Sequence, residues 1–103
     1  MRALGVVHVF GNMADMPRLL DIARRYKLIL IEDATEALGT RYTAGPLAGK
    51  AAGTMGDIGC YSFNGNKIMT TGAGGFVVSN HADWAEHAKH LPPSQGRYAA
   101  ISA

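Results

Sequence analysis

Two apolar runs, "ALGVVHVF" at residues 3–10 and "LILIED" at 28–33, bracket a segment of different rhythm, and this pairing limits the fold more than any other feature. An unbroken apolar run closed by Gly11-Asn12 is what a strand covered on both faces requires. Between the runs, "ADMPRLLDIARRYK" has helical spacing, with Met16, Leu19, Leu20 and Ala23 on one face and Arg18, Asp21, Arg24 and Arg25 on the other. Asp15 can cap this helix, Pro17 suits its first turn, and the arginines favour its negative end. Strand, helix and strand within about thirty residues make a βαβ unit with a right-handed crossover and parallel pairing.

The rest of the chain extends this α/β pattern. "ATEALG" after Asp33 is expected to form a short helical turn ending at Gly39, and residues 40–56, rich in Gly, Ala and Thr, read as a mobile loop. "DIGCYSF" at 57–63 and "GGFVVSN" at 74–80 read as strands. "ADWAEHAKHL" reads as a helix with Trp84, Ala88 and Leu91 facing inward, and residues 92–103 as a tail after the Pro92-Pro93 break. A parallel layer this thin has little to cover both sheet faces, so the chain reads as the middle of something larger.

Composition narrows the classes of function. At 103 residues and a net charge of +2, with basic residues scattered, the chain has no stripe for phosphates and no nucleic-acid partner is expected. The single cysteine, Cys60, permits no internal disulfide, sits in an apolar run as an inert thiol, and suits a reducing compartment. The apolar start is too short to span a membrane and lacks a cleavage pattern, so a cytoplasmic location with no membrane partner is expected. His87 and His90 share a helix face, read as solvated rather than metal-binding, and His8 reads as a hydrogen-bonded core histidine.

The chemistry gathers around "SFNGNKIMTTGAGG", residues 62–75, where one lysine stands in a run of small and polar residues. In open α/β sheets ligands bind beyond the carboxyl ends of the strands, where Asp33, Ser62 and Lys67 are all expected. A lysine amine can condense with an aldehyde once its lone pair is freed, a strand-end carboxylate can keep a pyridine nitrogen protonated, and a hydroxyl can hold a phosphate. Those are the demands of pyridoxal 5'-phosphate, and the glycines after Lys67 would let a cofactor approach the backbone. Each residue also has a plain reading: Asp33 as a turn former, Ser62 bonded within its own loop, Lys67 as a solvated loop residue.

Taken in order, "VVHVFGNMADMPRLLDIARRYKLILIEDATEALGTRY" followed by "GTMGDIGCYSFNGNKIMTTGAGGFVVSN" resembles the DegT/DnrJ/EryC1/StrS family of sugar aminotransferases over roughly residues 4–91. The resemblance implies part of an aspartate-aminotransferase-like large domain, a mostly parallel sheet with flanking helices, with residues 1–91 as its central part. In "EDATEALG" it implies that Asp33 pairs with the pyridine nitrogen and that Glu36, where many members carry Gln, approaches the ring hydroxyl. In "SFNGNK" it implies that Ser62 binds the cofactor phosphate and that Lys67 forms the internal aldimine and then shuttles the proton. The implied substrate is a 4-keto nucleotide sugar, the implied amino donor is glutamate, and the full-length family works as a homodimer. Ala73 departs from the pattern, standing where close relatives tend to have glycine. Family members are several times longer, so this chain alone is expected to show no useful turnover. The alternative is a catalytically inert, truncated α/β module that self-associates through uncovered sheet surface. A dinucleotide-binding enzyme is a weaker third reading, because no G-x-G-x-x-G follows the first strand.

Overall fold

The computed structural model describes residues 1–91 and the backbone of 98–102; the remainder of the expected tail, 92–97 and 103, lies outside the described residues. Five strands form one sheet in chain order: β1 (Ala3–Val7), β2 (Ile29–Asp33), β3 (Ile58–Ser62), β4 (Gly75–Ser79) and β5 (Tyr98–Ser102). The pairings β1–β2, β2–β3 and β4–β5 are parallel, and β3–β4 alone is antiparallel. This is the mostly parallel α/β sheet expected from the sequence. Part of the expected tail is a strand: Tyr98 pairs with Gly75 and Ser102 with Ser79.

Helix α1 (Met16–Arg25) follows its sequence signals closely. The Asp15 carboxylate accepts from the Arg18 amide at 3.4 Å, Pro17 occupies the first turn, and Met16 and Ala23 are buried. The helix lays Met16, Leu19, Leu20 and Ala23 against Leu4, Val6 and Leu30 of the sheet. Full burial of Met16 and Leu30 is worth about 1.5–3 kcal/mol each. The chain leaves the helix through Lys27 at φ 53°, with the Leu28 amide returning to the Ala23 carbonyl at 2.8 Å. That is a Schellman-type stop made without glycine.

Helix α2 (Ala82–His90) buries Ala85 and half-buries Trp84 and Ala88, whereas Leu91, expected to face inward, is 49% exposed just past the helix end. His81 stacks on Trp84 with ring centres 4.0 Å apart and bonds Asp57 at 3.0 Å, tying the helix start to the residue before β3. Among the described residues no helix is long and apolar enough to cross a membrane.

Two expectations change in the turns, and a third in the loop that follows. The apolar run 3–10 does not continue as strand beyond Val7, because the chain turns at Val9–Gly11. Residues 34–40 form two successive turns, with Ala37 N–H on the Ala34 carbonyl and Thr40 N–H on the Ala37 carbonyl, both at 3.0 Å, rather than a helical turn. The segment 40–56, expected as a mobile loop, is packed in part: Tyr42, Leu47, residues 51–53 and residues 55–56 are buried or half-buried, while 43–46 and 48–50 are exposed. Ala52 is 1% exposed, Tyr42 donates to the Ala14 carbonyl, and Ala34, Ala37, Ala52 and Tyr61 make a second core cluster. Small side chains suggest mobility in the sequence; here they are what allows the segment to lie directly on the sheet.

Candidate functional site

Consecutive residues of β2 point to opposite faces, and this divides two acids between two jobs. Glu32 shares a face with Leu30 and is fully buried, while Asp33 is half-buried on the other face at the strand's carboxyl end. Four donors reach the Glu32 carboxylate: His8 Nε2–H at 3.0 Å and Gly53 N–H at 2.9 Å on Oε1, Met55 N–H at 2.7 Å and Gly56 N–H at 2.5 Å on Oε2. His8, also fully buried, accepts the Ala14 N–H on Nδ1 at 3.1 Å. This bonding pattern assigns His8 the neutral tautomer with its proton on Nε2. A buried charge is tolerable only when so fully bonded, and this one ties β1, β2 and the 53–56 segment together. The sequence marks His8 as a bonded core histidine without naming its partner. A signal for that partner exists: Leu4, Val6 and His8, like Leu30 and Glu32, keep the two-residue period of one sheet face.

Above this knot the chain turns sharply. Phe10 adopts φ 50°, ψ 40°, a left-handed backbone that costs a non-glycine residue about 1–2 kcal/mol, and its ring is 84% exposed. Its N–H donates to Glu36 Oε2 at 3.1 Å, and Thr40 Oγ1 donates to the Gly11 carbonyl at 3.0 Å. Sequence reasoning does not single out Phe10, because no one-residue signal marks a phenylalanine in the left-handed region.

The antiparallel β3–β4 pair makes residues 63–74 a hairpin arm that leaves and re-enters the sheet at the same end. Phe63 N–H donates to the Gly74 carbonyl at 2.8 Å, Thr71 N–H to the Phe63 carbonyl at 3.0 Å, and Lys67 N–H to the Asn64 carbonyl at 3.1 Å. Gly72, at φ 85°, supplies the left-handed turn, whereas a Cβ at Gly75 would collide with the Tyr61 carbonyl oxygen. Strand-to-strand approach, rather than ligand approach, therefore accounts for Gly75. Across residues 64–73 every side chain is exposed except Lys67, which is half-buried.

Two of the four residues singled out in the sequence share a cavity. Lys67 and Glu36 line one cavity of about 410 Å³ with Phe10, Gly11, Thr35, Asn66 and Ile68. Asp33 and Ser62 are not among its lining residues. Asp33 lies in register between Val7 and Cys60, and its Oδ1 accepts from the Thr35 amide at 3.1 Å. Ser62 ends β3, and its Oγ accepts from the Asn64 amide at 3.4 Å. Burial first, and the Asp33 carboxylate second, push the Cys60 thiol above its ordinary value. Carboxylates of β2 and of the turn after it, a hydroxyl ending β3 and an amine on the arm that follows thus occur around the carboxyl ends of adjacent strands, the usual ligand side of an open α/β sheet.

Solved aminotransferases share this arrangement of strands. The aminotransferase TlmJ from Streptoalloteichus hindustanus matches 87% of the chain at a TM-score of 0.78 and 32% identity, the chain covering 23% of that protein. The sheet is a piece of the aspartate-aminotransferase fold. Residues 2–99 match the model of the DegT/DnrJ/EryC1/StrS aminotransferase family, and the chain belongs to that family. Among its relatives is a GDP-perosamine synthase from Caulobacter vibrioides, 45% identical over 84 residues (82% of this chain, 21% of the relative). An L-glutamine:scyllo-inosose aminotransferase from Streptomyces griseus is 43% identical over 90 residues (87% of this chain, 20% of the relative). The chain spans about a fifth of the length of these two relatives.

Proposed function

We propose that this chain is the cofactor-binding centre of a pyridoxal-phosphate-dependent aminotransferase that aminates a 4-keto nucleotide sugar, with glutamate as donor. The observation that carries the reading is Lys67, the half-buried residue of an exposed arm, opening onto a cavity with the Glu36 carboxylate. The donor set suits the cofactor: an amine for its aldehyde, a carboxylate for its ring nitrogen, and a hydroxyl for its phosphate. When bound, the cofactor supplies an electron sink that makes the carbon next to an amino group acidic. Lys67 Nζ would anchor it covalently and, once released, move the proton between cofactor carbon and sugar carbon. Asp33 would keep the ring nitrogen protonated, Glu36 would face the ring hydroxyl, and Ser62 would bond the phosphate.

The family resemblance and the relatives' names support the chemistry, and the dimer and full substrate site belong to the whole protein. The test is reductive trapping: incubation with pyridoxal phosphate, borohydride reduction and peptide mass mapping. A pyridoxyl group on Lys67, lost in Lys67→Ala and kept in Lys89→Ala, is the expected result. Labelling spread evenly over the lysines would overturn the assignment.

A second reading has its own observation. Among the described residues β1 is an edge strand, and Met1, Arg2, Ala3, Ile29, Ile31, Ile58 and Trp84 line a hollow of about 360 Å³ on the sheet. Such an edge and apolar floor favour self-association of the isolated chain without turnover. Sedimentation analysis in the presence and absence of cofactor separates the two: concentration-dependent association with no Lys67 labelling supports the inert module.

A further inference from the structure

We propose that Phe10 is a ligand-contacting ring of the Lys67 cavity and that its ligand is a polyhydroxylated six-membered ring lying with its C–H face on the phenyl; this rests on the sugar-aminotransferase reading of that cavity. Phe10 has the wrong residue type for its backbone and gains nothing from burial. At φ 50° a glycine or asparagine would sit with less strain, and at 84% exposure the ring contributes almost no core packing. The turn is nonetheless held from several sides. His8 N–H bonds the Asp33 carbonyl at 3.0 Å, His8 Nδ1 accepts from Ala14 at 3.1 Å, Asn12 N–H bonds the Val9 carbonyl at 3.0 Å, and Glu36 accepts the Phe10 N–H at 3.1 Å. A strained conformation kept by so many bonds, with an apolar ring that packs on no core residue among those described and lines the Lys67 cavity, points to a ligand-facing placement.

The cavity lining selects the ligand. Phe10 and Ile68 supply apolar surface, and Thr35, Glu36, Asn66 and Lys67 supply a hydroxyl, a carboxylate, an amide and an amine. A planar apolar patch beside several hydrogen-bonding groups matches a cyclic polyol, whose ring has a C–H face and a rim of hydroxyls. The Glu36 carboxylate fixes the Phe10 backbone, so ring and acid are set relative to each other by one bond.

The experiment is an amide chemical-shift titration of the chain with scyllo-inosose, with glycerol as an acyclic polyol control. Saturable shifts at Gly11, Glu36, Asn66 and Lys67 with the cyclic probe only are expected. Phe10→Asn, which tolerates the left-handed backbone, should keep or raise the melting temperature yet weaken binding about tenfold, while Phe10→Tyr should retain it. Unchanged binding in Phe10→Asn, or no saturable shift in the parent chain, would overturn the proposal. Trapping of pyridoxal phosphate on Lys67 is read separately. Its absence beside Phe10-dependent binding supports the ring contact and sinks the aminotransferase reading; its presence beside Phe10-independent binding does the reverse.

Discussion

Two segments rich in glycine look alike in the sequence and are built on opposite terms in the fold. Of residues 40–56, the stretch 51–56 lies against the sheet, with Gly53, Met55 and Gly56 donating to one buried carboxylate and Ala52 in the core. Residues 63–74 stand off the sheet as a hairpin arm, held by their own backbone and by threonine hydroxyls, with Lys67 as the one half-buried side chain from 64 to 73. The difference is the partner each segment meets. The first has Glu32 beneath it, and a buried carboxylate demands donors. The second begins at the strand ends, where no such group pulls it down. Glycine content by itself does not report which of the two a segment will be.

The contrast can be broken most forcefully at its anchor. Glu32→Ala leaves three backbone N–H groups and the His8 ring Nε2–H without their acceptor, and is expected to cost about 3–5 kcal/mol in urea unfolding. Glu32→Gln, which keeps one acceptor oxygen and turns an NH₂ toward the other donors, should cost about 1–3 kcal/mol. If Glu32→Ala unfolds with the parent, the 40–56 segment is not pinned as described.

A methyl probe compares the strand surface beneath Gly53 with the open arm. A Cβ at Gly59 would overlap the Gly53 carbonyl, so Gly59→Ala should destabilise by about 3 kcal/mol. At Gly65, on the arm, a Cβ meets nothing within 4 Å, and Gly65→Ala should stay within about 0.5 kcal/mol. Equal losses at the two sites would erase the distinction.

The smallest effect sharpens the boundary between them. Cys60 lies on β3 in register with Asp33, and burial together with that carboxylate raises its pKa. A raised thiol pKa means less thiolate at mildly alkaline pH and slower alkylation, with the rate rising only at higher pH. Removing the charge in Asp33→Asn should shift the alkylation profile toward lower pH without altering the unfolding midpoint much. An unmoved profile would place the Asp33 charge elsewhere.

Much of this fold is legible in the residues alone. The βαβ unit is, because α1 carries its stripe, cap and proline together and β2 is an apolar run ending in two carboxylates. His8 reads as a bonded core residue because a lone polar group in such a run must find a partner. Asp33, Ser62 and Lys67 can be picked out from the residues and Glu36 from the family resemblance; of the four, Lys67 and Glu36 line the 410 Å³ cavity. Sequence spacing places residues at strand ends and does not tell which way each side chain turns. Strand β5 and the packing of 40–56 escape such reading for one reason: both depend on contacts across the sheet, while their local composition favours neither outcome. Phe10 escapes it because its strain exists only once Glu36, Ala14 and Thr40 have closed around it.

The single antiparallel junction between β3 and β4 has a further consequence. A parallel crossover would carry the chain after Ser62 to the far end of the sheet before it could return; here it is sent out and brought back at one edge, beside where it left. The amine is therefore mounted on a short arm that leaves and re-enters the sheet between two paired neighbours. A scaffold wired this way carries the Lys67 arm at one end of the sheet, apart from the strand order beneath it.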